Sequence, residues 1–473
     1  MAVKLNKPIL VAGIGLSFLL WLWDNVSDEI MEVGEWGLLG AIALGGGFWF
    51  LHQKSPKISL SYLSPLKRET VEEAIGQALK IKVDLETEAP LEDISVLKQQ
   101  IAQLSEGFKR QTLQIAVTGG RKVGKSSLIE VLASEKIAAN LSFVETEPLG
   151  SETVTTEIAA KQVASSSDLV LFLVNGDLTD SQWRILGEYK QNYQRFLLIF
   201  NKQDQYLPEE KALIVQQLKS RVQPLMGEED VMAISAAPND VKVRQYQKDG
   251  SVQEWMEKQT ANLEILESRL SQIIAQEREQ LIWGTIWREA MQLKQQGKQK
   301  LNGVRRTRAM PVVEQYQWIV AASAFANPVA ALDLLATAAI NAQMIVDLSK
   351  IYQQQFSLSQ AQATSGTVGK LMVKLGLVEL STQTLGSLLK SHLVTFVAGG
   401  VIQGVSAAYL TRIAGLSLIE YFQEQEVSIT SGKVFNLEKF TEKLKQVFDQ
   451  NQRTAFLQEF VKVALGRLPV VSS

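Results

Sequence analysis

Residues 118–127 read TGGRKVGKSS, and residues of these types at this spacing can hold a polyphosphate. In Gly119-x-x-x-x-Gly124-Lys125-Ser126 the glycines let backbone N–H groups turn toward phosphate oxygens. Lys125 is placed to reach the β- and γ-phosphates and Ser126 to ligate Mg²⁺. Gly120, Arg121, Lys122 and Val123 complete the loop, and Ser127 follows it. Such a loop needs a strand that ends in it and a helix whose N-terminus adds a positive dipole. The sequence supplies both. The apolar run LQIAVTGG begins at Leu113, and SLIEVLAS opens a helix at Ser127.

Two later segments could select the base. The buried-strand run RFLLIF (195–200) ends in Asn201-Lys202-Gln203-Asp204. An aspartate there can accept two hydrogen bonds, from guanine's N1–H and its exocyclic amine. Adenine presents a different edge and would leave the carboxylate unpaired. The run VMAIS leads into Ser235-Ala236-Ala237, small residues that let the backbone approach a base. Between the phosphate loop and these segments, SDLVLFLVNGDLTD (167–180) supplies a further core strand. This order of strand, loop, helix and strands is a doubly wound α/β pattern.

On GGRKVGKSS, NKQD and SAA, residues 111–275 resemble a GTPase of the large family that includes the Era, TrmE and EngA-type proteins. The resemblance implies a P-loop GTPase domain that takes GTP or GDP with Mg²⁺. Lys125 and Ser126 would hold phosphate and metal, and Asn201, Lys202 and Asp204 would hold guanine. The family also expects a switch Thr and then Asp-x-x-Gly. Residues 128–144 contain no Thr and leave barely room for a strand. The Asp-x-x-Gly position reads ETEPLG, aligned either with Glu145 and Pro148 or with Glu147 and Gly150. Both alignments put Glu for Asp, and the longer carboxylate must sit differently to touch Mg²⁺ through water. The cradle and the base reader are present, while the hydrolytic switch is abbreviated. In the resembling potassium-activated GTPases an Asn at the position of Lys122 helps hold K⁺, and in atlastin-like GTPases an Arg there supplies charge in cis. Lys122, with Arg121 beside it, and Lys125 are therefore the candidates for stabilising transition-state charge.

Composition narrows the alternatives. The net charge is −2, with no basic excess to neutralise a nucleic-acid backbone. There is no cysteine, hence no disulfide, thiolate nucleophile or Cys-bound metal. The two histidines, His52 and His392, lie far apart in apolar surroundings, which argues against a histidine triad or zinc site. A length of 473 residues suggests two to four domains.

The N-terminus carries two uncharged runs, PILVAGIGLSFLLWLW (8–23) and WGLLGAIALGGGFWFL (36–51). As helices each would span about 24 Å at ~1.5 Å per residue, short of a ~30 Å hydrocarbon core, and edge tryptophans could extend them. Lys4 and Lys7 precede the pair, and Lys54, Lys57, Lys67 and Arg68 follow it. The intervening loop carries only acids: Asp24, Asp28, Glu29, Glu32 and Glu35. Positive residues stay cytoplasmic, so residues 1–57 are expected to form a transmembrane helical hairpin with both ends in the cytoplasm. The alternatives are a cleaved signal peptide, for which no small-residue site follows Trp23, and a buried core hairpin.

Beyond the hairpin, 58–110 reads as a helical connector, with a capping box from Thr70 to Glu73. Residues 241–255 suggest a β-hairpin around Asp249-Gly250. Residues 276–310 read as a basic linking helix, with Lys294, Lys298, Lys300, Arg305, Arg306 and Arg308 available to anionic lipid or to solvent. Residues 311–473 read as an apolar-rich all-α domain. Asp333, Asn341 and Asp347 count against a lipid-exposed span, while HLVTFVAGGVIQGVSAAYL (392–410) is more uniform and carries small residues for close packing. A helical domain lying against or partly in the membrane is expected, with a soluble bundle as the alternative. Residues 311–425 faintly resemble a poorly characterised bacterial domain that follows Era-like GTPase domains in membrane-associated proteins. The expected function is a multi-pass, membrane-anchored GTPase switch facing the cytoplasm, with an unidentified protein effector, self-association, and no nucleic-acid partner. The alternatives are a membrane remodeller resembling dynamin or atlastin relatives, against which no long heptad stalk is evident, and a non-hydrolysing scaffold.

Overall fold

Strand β3 (Leu169–Val174, LVLFLV) is buried at every position, the mark of a parallel strand covered on both faces. It sits at the centre of a five-stranded parallel sheet in a computed structural model that describes residues 65–134, 140–150, 154–246, 252–326, 330–354, 356–392, 399–425, 435–452 and 454–467. The expected hairpin of residues 1–57 and the turn at Asp249-Gly250 lie outside the described residues. The other strands are β1 (Leu113–Gly119), β2 (Leu141–Glu145), β4 (Arg195–Phe200) and β5 (Val231–Ala233), in the order β2-β1-β3-β4-β5. The connecting helices are α3 (Lys125–Ser134), α4 (Val154–Ser165), α5 (Asp180–Gln191) and α6 (Pro208–Val222). Two earlier helices, α1 (Arg68–Glu88) and α2 (Ser95–Leu104), precede the sheet. The strand order reverses between β1 and β3, and a crevice at the carboxyl ends of the strands is where this architecture places ligands.

One expectation needs correcting at β2. The segment that left barely room for a strand forms a complete one, paired in parallel with β1 from Leu113↔Leu141 to Val117↔Glu145. The sequence LSFVE alternates, and only one flank of the strand is paired, so its burial is partial and its apolar signal weak.

The two faces of the sheet are covered differently. Leu113, Ile115, Leu169, Leu171, Leu197 and Ile199 face a core completed by α1, α2, α3 and a long helix, α7 (Glu264–Ala326). On the other face Phe172 meets Tyr189 of α5 edge-on, with ring centroids 6.5 Å apart. The hairpin of β6 (Val241–Tyr246) and β7 (Val252–Glu257) is antiparallel as expected and largely exposed.

Helix α7 has 63 residues and runs roughly 95 Å at ~1.5 Å per residue. The boundaries expected at 275 and 310 both fall inside it. The hydrophobic core shared with the sheet extends along α7 to Leu301, and a second core begins at Ala309. Residues 58–110 are thus more than a connector, because α1 and α2 belong to the first core. Gly297 of α7 is needed there, since a Cβ would sit 2.4 Å from the Ile81 side chain.

Between the two cores lies a polar belt, and it absorbs the basic cluster. Arg305 is 5% exposed and pairs with Glu88 at 2.5 Å, and Arg308 reaches the same carboxylate. Arg306 pairs with Glu420 at 2.5 Å. Lys294 donates to Gln77 Oε1 at 2.7 Å, Lys298 to the Glu424 carbonyl at 3.4 Å and Lys300 to the Asp93 carbonyl at 3.1 Å. Each of these cations has a protein partner, so the cluster is more than a solvated face. They lock α1 and the second core onto one helix.

The second core packs the end of α7 against α8 (Ala330–Ile351), α9 (Leu358–Lys374), α10 (Leu377–His392), α11 (Gly399–Glu424), α12 (Leu437–Asn451) and α13 (Thr454–Arg467). Within α11, Val401–Glu424 is long and apolar enough to cross a membrane, yet 72% of its apolar window is buried inside the bundle. The small-residue seam explains this. A Cβ at Gly404 would lie 2.9 Å from the Ala321 carbonyl, and one at Gly415 would lie 2.7 Å from Val313. The glycines let α11 approach α7 closely, so this helix reads as the core of a bundle.

Candidate functional site

The phosphate-type loop is shaped by two positions that exclude a side chain. Gly119 ends β1 at φ +148°, where a Cβ would meet the Leu173 carbonyl at 2.4 Å. Gly124 has φ +92°, and a Cβ there would lie 2.3 Å from Asn201 Nδ2. Lys122 takes a left-handed φ of 57°. This is an unusual conformation for a residue with a side chain, and such positions concentrate at functional sites. Arg121 and Lys122 are exposed at the loop's outer edge, Val123 is buried, and α3 begins at Lys125.

Lys125 is only 5% exposed. Its ammonium donates to the Gly120 carbonyl at 3.2 Å and lies 3.9 Å from Glu145. Burial pushes its pKa down, and Glu145 and Glu147 oppose that shift. Ser126 Oγ donates to Glu145 Oε2 at 2.8 Å. Of the two alignments left open by the sequence, it is therefore Glu145 that meets the loop. Among the described residues there is no cluster of three or more His, Asp or Glu side chains suited to a metal. The hydroxyl–carboxylate pair of Ser126 and Glu145 does fit a hard cation that keeps most of its waters, as Mg²⁺ does.

The loop after β2 is strapped to β1. Thr146 N donates to the Val117 carbonyl at 3.0 Å, Leu149 N to the Gly119 carbonyl at 2.9 Å, and Thr146 Oγ1 to Thr118 Oγ1 at 2.7 Å. These threonines carried no motif signal. Gln182 of α5 was also missed, and its Nε2 lies 4.0 Å from the position of a Gly120 Cβ.

Asn201 joins the distant motifs. It is 2% exposed, its Nδ2 donates to the Val123 carbonyl at 2.9 Å, and its Oδ1 accepts from Ala236 N at 3.0 Å. One side chain thus ties the phosphate-type loop to Ser235-Ala236-Ala237. Lys202 follows at φ 65°, and Gln203 N donates to the Ile234 carbonyl at 3.1 Å. Ser235 is fixed by paired backbone bonds with Asn262. Asp204 is exposed, and its Oδ2 accepts from Asn239 N at 3.2 Å. Asn239 lies outside the motif and gave no signal. Ser127 is half-buried, and Ala237 is exposed two residues before Asn239.

A family described as a domain of unknown function (DUF697) matches residues 288–453, about a third of the chain. The match begins inside α7 and covers most of the second core. It overlaps the apolar helical domain expected from 311–425. No curated protein matches the sequence. Among solved structures, the chain is similar to LeoA, a bacterial dynamin GTPase from ETEC. The TM-score is 0.25 and the identity 13%, over 85% of this chain and 94% of that one. Two structures of an oligomerised bacterial dynamin pair, described as providing a mechanism for long-range sensing and tethering of membranes, each give a TM-score of 0.24 and 11% identity. They cover 85% and 89% of this chain and 74% and 77% of theirs.

Proposed function

We propose that the chain is a membrane-anchored guanine-nucleotide-binding protein acting as a slow GTPase switch, whose GTP and GDP states control effector docking or membrane organisation. Asn201 is the observation that carries the nucleotide half. A buried amide that bonds both the Val123 carbonyl and the Ala236 amide brings a phosphate cradle and a base-reading segment to one crevice. Backbone amides of residues 120–124 and the N-terminus of α3 would receive the phosphates, with the Lys125 ammonium on the β- and γ-oxygens. Ser126 and Glu145 would hold Mg²⁺, which when bound supplies positive charge to those oxygens. Asp204 would accept from guanine, and Ser235, Ala236 and Ala237 would line the base.

Lys122 would lend charge to the β/γ bridge as hydrolysis proceeds. A lysine lacks the planar fork of an arginine finger and should give less. No Thr in 128–144 is available to close on the γ-phosphate, so slow turnover is expected. Titration calorimetry with GTP, GDP and ATP on the purified chain tests the nucleotide half. ATP binding as tight as GTP binding would contradict it.

The membrane half rests on residues 1–57, two apolar runs flanking an acidic loop between basic ends. That pattern gives a multi-pass anchor with the nucleotide domain in the cytoplasm. Single cysteines at Ser27 and Ser61 of the cysteine-free chain test it. They should label oppositely with an impermeant maleimide in right-side-out and inverted vesicles, and identical labelling would remove the span.

A second reading, a membrane-remodelling GTPase with self-association, gains support from α7. One helix serves both cores, so motion at the first can be carried to the second. GTP-dependent tethering of liposomes would favour it over a switch, and absence of turnover would favour a non-hydrolysing scaffold.

A further inference from the structure

We propose that Arg288 of α7 is the residue through which the nucleotide crevice communicates with the long helix. It acts by holding the C-terminal ends of α4, which follows β2 and its strapped loop, and of α5, which starts beside the phosphate-type loop. The inference rests on the nucleotide reading above and adds the route of its regulation.

Helices α4 and α5 have 12 residues each, about 18 Å at ~1.5 Å per residue. Helix α4 comes in the chain after β2 and residues 146–150, which are strapped to β1 through Thr146 and Leu149. Helix α5 starts at a capping box of Thr179 and Gln182, and Gln182 lies beside Gly120. Their C-terminal ends lead to one guanidinium. Arg288 Nε donates to the carbonyl of Ser165, the last residue of α4, at 2.7 Å, and Nη2 donates to the Ser167 carbonyl at 2.8 Å. Nη1 donates to the carbonyl of Tyr193, just past α5, at 2.9 Å. Nη2 also reaches Thr285 Oγ1 at 3.0 Å, and that hydroxyl donates to Asp168 Oδ1 at 2.7 Å.

This is a costly way to hold a helix. Arg288 is 6% exposed, and its hydrogen-bond acceptors are carbonyls and a hydroxyl, with no carboxylate among them. Burial pushes its pKa down to about 10 against the pull of Asp168 and Glu289. An apolar side chain would pack at lower cost. What the guanidinium adds is direction, because a rigid planar fork fixes several acceptors relative to one another. The carbonyls it reads sit at the negative ends of two helix dipoles, where a cation is favoured. Gly284, one turn earlier, brings α7 against the same place: a Cβ there would lie 2.9 Å from the Tyr193 carbonyl and 3.1 Å from Arg288 Nη1. Hydrogen bonds of this length do not survive a shift of ~1 Å without loss of geometry. A displacement of α4 or α5 caused at the crevice therefore either drags α7 or breaks the fork.

The absence of cysteine allows a direct test in the full chain. Cysteines at Glu130 on α3 and Gln296 on α7, both exposed, are spin-labelled, and their distance is read by pulsed electron resonance with GDP and with a non-hydrolysable GTP analogue. Calorimetry runs in parallel. We expect the two nucleotides to give different distances in the parent. Arg288→Gln should abolish the difference while nucleotide affinity stays within about threefold, as for distant sites. Arg288→Lys should reduce the difference, because the charge remains and the fork does not. Gly284→Ala, which pushes on the same contact and leaves Arg288 in place, should also shrink it, and it serves if Arg288→Gln does not fold. Equal distances in the parent despite measured binding of both nucleotides would overturn the inference, as would an undiminished difference in Arg288→Gln or Gly284→Ala. Failure to bind nucleotide would instead overturn the functional reading on which it rests.

Discussion

At the carboxyl ends of β1, β2 and β4 lie the side chains proposed to take a nucleotide; at the amino ends of β3 and β4 the charged side chains pair with one another. Asp168, fully buried ahead of β3, accepts from Arg110 at 2.5 Å, from Gln114 N at 2.7 Å and from Thr285 at 2.7 Å. Arg195, opening β4, spans Asp230 at 2.7 Å and Glu277 at 2.8 Å, and Arg269 of α7 closes on Asp230 at 2.8 Å. At the crevice end Lys122, Ser126, Glu145 and Asp204 are exposed, and buried Lys125 has one carbonyl within hydrogen-bond reach. Both ends are rich in charge. The difference is that one set is closed on itself and fixes how α7 lies on the sheet, while the other is mostly exposed and only lightly partnered. Charge density alone does not mark a site; the direction of the charges and their remaining capacity do.

The largest expected effect lies at the closed end. Asp168→Ala removes the fully buried acceptor of Arg110, the Gln114 amide and the Thr285 hydroxyl, so urea unfolding should show a loss of about 3–5 kcal/mol. Nucleotide affinity of the folded fraction should stay within about threefold, because the site is remote. A comparable loss of affinity with little loss of stability would erase the contrast between the ends.

Lys125→Ala should behave in the opposite way. Removing an ammonium that burial already disfavours should leave thermal stability unchanged or raise it, as expected where function is kept at a cost in stability. GTP affinity should fall by about 100-fold, in line with ~2–3 kcal/mol for a charge-assisted bond, measured by calorimetry. A destabilised protein that still bound GTP would make Lys125 a structural residue.

A smaller effect is expected at Lys122. Alanine there should lower turnover roughly tenfold with affinity little changed, the signature of a group that acts in the transition state. Replacing K⁺ by Na⁺ should leave the rate of the parent unaltered. Equal turnover of parent and variant at saturating GTP, or turnover that tracks K⁺, would remove Lys122 from the chemistry.

The contrast also explains what could be read from sequence. The crevice end was legible because its geometry comes from local strings: glycines at Gly119 and Gly124, Lys125-Ser126, and Asn201 to Asp204. The closed end was not, because Arg110, Asp168, Thr285 and Arg288 are ordinary residues until the fold brings together positions up to 178 apart, as from Arg110 to Arg288. The same reason hid the fate of the basic cluster. Nothing near Arg305 in sequence shows that Glu88, 217 residues earlier, is its partner. The length of α7 was concealed differently. Its apolar face turns from one core to the other near residues 302–308, and Pro311 interrupts the helical pattern, so a continuous helix resembled three segments. Glu145 was legible as a candidate but tied with Glu147 until the register of β2 against β1 put it opposite Val117, next to the loop.

Base selection by Asp204 tests the proposed function most directly. Calorimetry compares GTP and xanthosine triphosphate on the parent and on Asp204→Asn. The expected result is a fall of about 100-fold in GTP affinity and a gain for xanthosine triphosphate, because the substitution inverts donor and acceptor at the base edge. Unchanged GTP binding by Asp204→Asn would contradict the assignment of this crevice to a guanine nucleotide.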